Sequence, residues 1–295
     1  MLPKTLFFEN KIHIPPELTS AYATILQTLG LLQDAHNRSP ENSTIIGGSD
    51  KEATLNHFTY RFPASASRIE YLFLNPKSEF GEVSKELQRW LSFGNVWLLD
   101  LPCGTGAASL SLLSTIAELR KTRTLPPIPL TITLLAADIS PDALEIYKNF
   151  FEKIEGPLRA QNIEVKLQLE NWDFIKPEQT ARLIDIWFQE ARPSAEYIVL
   201  ISAMSGPLKG NIRTTDRWFN HLLERLHNRS ALVTWIEPGT RQANNIMTAL
   251  KKFFLGISWF SPSKEDHGQA EYYYFHPIKK SECRGQICLR FWSKS

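Results

Sequence analysis

Cysteine is scarce in this chain: its 295 residues include three, Cys103, Cys283 and Cys288. Three thiols cannot build a disulfide framework, and no pair has the short spacing of a zinc site, so a reducing, cytoplasmic setting is expected. Neither sign of charge dominates. The 33 basic and 31 acidic residues leave a formal net charge of +2, so no overall field favours a nucleic acid or a membrane surface as partner. No apolar run approaches the ~20 residues of a membrane span. The opening MLPKTLFFENKIHIPPELTSAY has neither a basic segment followed by an apolar core nor an Arg-rich, acid-free composition. A soluble, unprocessed protein is the expectation. The histidines show no metal-ligand spacing, and no metal is expected.

Hydrophobic residues make up 43% of the chain, enough to fill the core of one large domain or of a domain with an appendage. Residues 1–95 read mostly as helices. Leu18, Tyr22, Ile25, Leu29 and Leu32 recur at three- and four-residue intervals, a one-sided apolar stripe. The run NRSPENSTIIGGSDKE is a loop on composition. From Val96 onward short apolar runs alternate with helical segments. The runs NVWLLDL, LTITLLAADI, IEVKLQLENW, EYIVLISAM and ALVTWIEP are candidate parallel strands, and EYYYFHPI and QICLRFWS could close the sheet antiparallel. That order predicts an α/β, doubly wound, Rossmann-like sheet of seven strands over 96–295, behind an N-terminal helical cap over 1–95.

The first strand ends at Asp100 and is followed by LPCGTG, then a helix from about Ala107. Gly104 and Gly106 lack a β-carbon, so the backbone turns tightly and a ligand can approach its amides, while the helix N-terminus favours negative charge. The dinucleotide fingerprint would need a third glycine near position 109, where a serine stands. Asp138, at the end of the second strand, is placed to accept hydrogen bonds from ribose hydroxyls; it could instead cap the next helix, a task open to Ser140 as well. The third strand ends in ENWDF, offering Asp173 to an adenine amino group and Trp172 or Phe174 as an apolar wall. A loop aspartate beside a core aromatic is the alternative. The fourth ends in ISAMSG, where the small residues Ser202 and Ala203 leave room for a reacting group.

Together these residues resemble the class I S-adenosylmethionine-dependent methyltransferases. The resemblance implies a cofactor, S-adenosyl-L-methionine, held by Asp100 and the turn Cys103, Gly104, Thr105 and Gly106, by Asp138 and Ile139, by Trp172 and Asp173, and by Ser202. Ser202, Glu237 and His267 would face the methyl acceptor, with His267 expected in a loop. The 38 residues from Asp100 to Asp138 are more than this family usually has, and KTRTLPPIPLT looks like the insertion responsible.

A narrower resemblance rests on FTYRFPASASRIEYLFLNP, LDLPCGTGAAS and TWIEPGTRQANNIMTALKKF. It is to the ribosomal methyltransferase-like family associated with the mitochondrial small subunit and its bacterial relatives, through Arg61, Pro63 and Glu237 to Thr240. That family's cysteine-rich segment is missing: the corresponding run is SWFSPSKEDHGQ, and Cys283 and Cys288 cannot supply four thiolates, so no iron-sulfur cluster is expected. Lys209, Arg213, Arg217 and Arg241 near the expected mouth, with Lys279, Lys280, Arg284, Arg290, Trp259, Phe260 and the run YYYF, could form a cationic, aromatic surface for single-stranded RNA. The expected activity is methyl transfer to RNA. The alternatives are a small-molecule acceptor, or a cofactor-binding protein that acts as an assembly or interaction factor.

Overall fold

The computed structural model describes residues 2–37, 48, 50–189, 195–206, 208, 212–240, 243–248 and 264–294. Its centre is a single mixed sheet. In chain order the strands are β1 (Phe7–Phe8), β2 (Lys11–His13), β3 (Gly94–Leu101), β4 (Leu130–Asp138), β5 (Ile163–Asn171), β6 (Glu196–Ser202), β7 (Ala231–Glu237), β8 (Lys264–Phe275) and β9 (Glu282–Lys294). The helices are α1 (Pro16–Thr28), α2 (Leu32–His36), α3 (Lys51–Leu74), α4 (Gly81–Trp90), α5 (Ala107–Lys121), α6 (Pro141–Arg159), α7 (Pro177–Gln189) and α8 (Ile212–Leu226).

The spatial order is β1-β2-β8-β9-β7-β6-β3-β4-β5. Strands β3 to β7 pair in parallel, and β9 is antiparallel to both β7 and β8. The seven expected strand segments are all present, yet among the described residues the sheet has nine strands: β1 and β2 form an antiparallel pair, and β2 adds in parallel to β8. The N-terminal segment is therefore not helical throughout. Two- and three-residue strands carry too little pattern to be read as such, and they exist here because β8 offers them an edge.

Alternation along the strands divides the core. Val96 and Leu98 of β3 point into one apolar cluster with α1, α3, α5 and α6, whereas Leu99 and Leu101 point into another with α7 and α8. Residues before β3 join the first cluster directly. Tyr22 and Phe62 stack with ring centroids 5.0 Å apart, and Phe62 stacks in turn on Phe150 of α6 at 4.8 Å. Helix α3 begins at Asp50, whose Oδ1 accepts from the Ala53 amide at 2.8 Å. It then lies against α5, where Ser111 Oγ donates to the Ala66 carbonyl.

The proline-rich link between α5 and β4 packs at the amino-terminal edge of the parallel strands. There the Asn162 side chain donates to the Pro127 carbonyl, and Arg120, 2% exposed, donates to the carbonyls of Gln161, Asn162 and Ser92. The added length thus lies at the opposite end from the glycine turn.

Candidate functional site at the ends of β3 and β4

Strand β3 has β4 and β5 on one side and β6 and β7 on the other, so the strand order reverses there. In open α/β sheets the crevice outside the carboxyl ends at such a point is where ligands bind. Asp100, one residue from the end of β3, has a fully buried carboxylate. Its Oδ2 accepts from Ser109 Oγ at 2.6 Å and from the Ser109 amide at 3.3 Å. Ser109 Oγ also lies 2.5 Å from the Tyr147 hydroxyl of α6. Oδ1 has no hydrogen-bond partner. Burial pushes the carboxyl up to about 7, against the opposing pull of the Ser109 bonds.

The serine at position 109, where a dinucleotide fold would have glycine, is therefore the hydroxyl that fixes Asp100. The residue type was visible in the sequence and its role was not. Tyr147 had no signal beyond its place on an apolar helical face.

The turn is fastened at several points. The Leu101–Pro102 peptide is cis, the Cys103 amide donates to the Ala137 carbonyl of β4 at 2.9 Å, and the Gly106 amide donates to the Cys103 carbonyl at 2.9 Å. Gly106 has φ +89°, and a β-carbon there would lie 2.9 Å from both Leu110 Cγ and Tyr147 Cδ2. Glycine is required for conformation and for space alike. Gly104 is also left-handed, at φ +51°, but faces open space. Thr105 and Cys103 are buried. Burial, with Asp138 and Asp100 nearby, pushes the Cys103 thiol well above its ordinary range, so it is protonated and not nucleophilic at neutral pH.

Asp138 ends β4. Its Oδ2 accepts from the Gly104 amide at 2.9 Å and its Oδ1 from the Ser140 amide at 2.9 Å. Capping of α6 falls to Ser140, whose Oγ accepts from the Ala143 amide and meets Thr54 Oγ1 at 2.9 Å. Asp138 is thereby left to the glycine turn. Burial raises its pKa, opposed by the amides of Ser140, Gly104 and Ile139. Each carboxylate oxygen keeps acceptor capacity for a further donor. Next to it the Ile139 side chain is 44% exposed, a large apolar surface at the mouth.

The third-strand residues divide. Trp172 is buried in the core, its Nε1 donating to Thr180 Oγ1 at 2.9 Å and its ring edge-on to Trp218. The partly buried Phe174, with ring centroids 6.3 Å away, is left nearer the surface. Asp173 makes a local turn, its Oδ1 accepting from the Ile175 amide at 3.0 Å while Oδ2 stands 3.6 Å from Lys176 Nζ.

Of the residues expected to face an acceptor, Ser202 ends β6 one position beyond the Ile201–Leu101 pair and so lies beside the glycine turn. Glu237 is buried, with Oε1 accepting from the Met204 amide at 2.8 Å and from Trp235 Nε1 at 2.9 Å. Its carboxylate holds the turn after Ser202, where Ala203 adopts φ +53°, and burial raises its pKa. His267 is not in a loop. It lies within β8 opposite Arg290, four strand steps from β3, on the order of 19 Å at ~4.8 Å per step.

The C-terminal basic and aromatic residues divide between core and surface: Tyr272, Tyr274 and Arg290 are buried, whereas Lys280 and Arg284 are exposed. Tyr272 and Tyr274 are buried while Tyr273 is exposed, the alternation of a strand with one covered face. Arg290 is buried and donates to the Met247 carbonyl at 2.8 Å, and Arg284 pairs with Glu271. The expectations for Lys209, Arg213, Arg217, Arg241, Trp259 and Phe260 concern side chains outside the described residues. Among the described residues, no group of three His, Cys, Asp or Glu side chains is placed to hold a metal, and no helix is long and apolar enough to cross a membrane.

No protein-family model matches the sequence, and no curated protein matches it significantly. Solved structures resemble it at a distance. An S-adenosylmethionine-dependent O-methyltransferase from Thermotoga maritima is 8% identical, with a TM-score of 0.38 over 77% of this chain and 71% of that one. An rRNA methyltransferase from Streptomyces viridochromogenes is 13% identical, with a TM-score of 0.34 over 71% and 82%. A DUF574 family protein from Streptomyces avermitilis is 11% identical, with a TM-score of 0.37 over 92% and 95%. At such identities the functional reading has to come from the site itself.

Proposed function

We propose that this chain is an S-adenosyl-L-methionine-dependent methyltransferase that holds its cofactor across the ends of β3 and β4. The observation that carries the reading is the juxtaposition of a buried carboxylate oxygen without a partner, Asp100 Oδ1, a glycine turn, and a second carboxylate, Asp138, bonded to that turn. The unpartnered oxygen suits the ammonium of the cofactor's amino-acid part, and the spare acceptor capacity of Asp138 suits two ribose hydroxyls. Ile139 offers the adenine ring an apolar surface, and Asp173 stands one strand further along for its amino group. Trp172, buried behind them, supports this edge by packing.

When bound, the cofactor supplies a sulfonium methyl carbon open to direct displacement. The chain's own task is alignment and exclusion of water, and alignment alone is worth ~7–11 kcal/mol in well-oriented reactions. Ser202 is the residue placed to touch the acceptor. Glu237 contributes by positioning the turn that follows Ser202.

We infer RNA as the acceptor class from the resemblance carried by Arg61, Pro63 and Glu237 to Thr240. The specific observation favouring a small molecule is the burial of Tyr272, Tyr274 and Arg290, which removes part of the expected cationic and aromatic surface. Transfer of label from methyl-labelled cofactor to RNA or to a small-molecule extract separates the two. An RNA acceptor also requires association that weakens steeply as salt rises. No transfer to either, with cofactor bound, would favour an assembly or interaction factor.

A further inference from the structure

A cleft between α1, α5 and α6 encloses about 140 Å³ along the carboxyl-terminal half of α5. At 1.5 Å per residue, Ser114 to Lys121 lie on the order of 10–20 Å along α5 from the glycine turn, so this space is separate from the site above. Two buried polar atoms of its lining have no hydrogen-bond partner, Ser114 Oγ and Glu118 Oε2. They lie on one face of the helix, four residues apart. Both residues are 4% exposed. Isolated polar groups of this kind are costly to bury, and most in folded proteins are satisfied.

The charges do not balance locally. Lys121 Nζ bonds to Glu17 Oε1 at 3.0 Å and stands 4.0 Å from Glu118 Oε2, outside hydrogen-bond range. Two carboxylates thus share one ammonium, and the buried one has the longer contact and no hydrogen bond at Oε2. Opposite lie Ile154, Pro157 and Leu158, an apolar wall.

We propose that this cleft is a second ligand site, for a small organic monocation whose ammonium meets Glu118 and Ser114 and whose short carbon chain lies on Ile154, Pro157 and Leu158. The volume is close to that of a cavity known to admit benzene, so about six heavy atoms fit. Two carboxylates, Glu17 and Glu118, against the one ammonium of Lys121 disfavour an anion in this cleft.

The test is titration of the full chain with n-butylammonium, and with n-butanol as the neutral ligand of equal length, followed by ligand-observed NMR and calorimetry. For so small a ligand a Kd on the order of 1 mM is expected. Glu118→Gln removes the charge, and Ala160→Phe fills the mouth from an exposed position of the lining while leaving Glu118 in place. Each is expected to weaken n-butylammonium by roughly tenfold or more, and n-butanol is expected to bind the wild type at least about tenfold more weakly than the cation. Should Glu118→Gln fail to fold, Ala160→Phe decides alone. Equal binding to wild type and variants, or no preference of the wild type for the cation over the alcohol, would overturn the proposal and leave a cleft filled by water.

Discussion

Ser109 Oγ donates to Asp100 Oδ2 at 2.6 Å and leaves Asp100 Oδ1 buried without a partner. A carboxyl group in that position titrates late, at about 7, against ~3.9 in an unfolded chain. Between those values the unfolded state has lost the proton that the folded state keeps, so the group's contribution to stability falls as pH rises from about 4 to about 7 and is level above. Thermal unfolding of wild type and Asp100→Asn across pH 4–8 should show the wild type losing stability relative to the variant over that window. Parallel curves would remove Asp100 as the source.

Gly106 and Gly104 provide a paired test of the turn. Gly106→Ala combines a left-handed backbone with overlap against Leu110 and Tyr147, and is expected to cost about 2–4 kcal/mol. At this chain length that lowers Tm by roughly 5–15 °C. Gly104→Ala meets open space, and only the backbone cost of about 1–2 kcal/mol applies. Melting curves of the two variants check the order.

Glu237 separates a supporting role from a chemical one. Truncation to alanine strands the Met204 amide and Trp235 Nε1, an expected loss of about 3 kcal/mol. Glu237→Gln, which keeps an acceptor at Oε1, should recover most of that stability. If both variants retain wild-type stability while methyl transfer is lost, Glu237 touches the acceptor after all.

Much of the sheet was legible because its central strands, β3, β4, β6 and β7, are mostly buried and stand out as apolar runs between amphipathic helices. The end of β3 could be read at Asp100 and that of β4 at Asp138 for the same reason. The two N-terminal strands could not, since Phe7–Phe8 and Lys11–His13 are strands only by virtue of the β8 edge. His267 was misplaced because the polar run KEDHGQ reads as a loop, while the structure pairs all six of its residues with β9. The site's glycines and carboxylates were visible as residue types at strand ends. Their partners were not, because a bond such as Ser109 to Asp100, or Thr54 to Ser140 across 86 positions, depends on how helices pack on the sheet. Trp172 was legible as an aromatic at the right edge, but its direction was set by Thr180 and Trp218.

Calorimetric titration with S-adenosylmethionine and S-adenosylhomocysteine, on wild type and Asp138→Ala, tests whether Asp138 holds the ribose of an adenosyl cofactor. Micromolar binding to the wild type is expected, with a loss of about 1–3 kcal/mol in the variant, roughly 5- to 150-fold in Kd, as the ribose hydroxyls lose their charged acceptor. Unchanged affinity in a folded Asp138→Ala would remove that residue from the site. Absence of binding to folded wild type would contradict the proposed function.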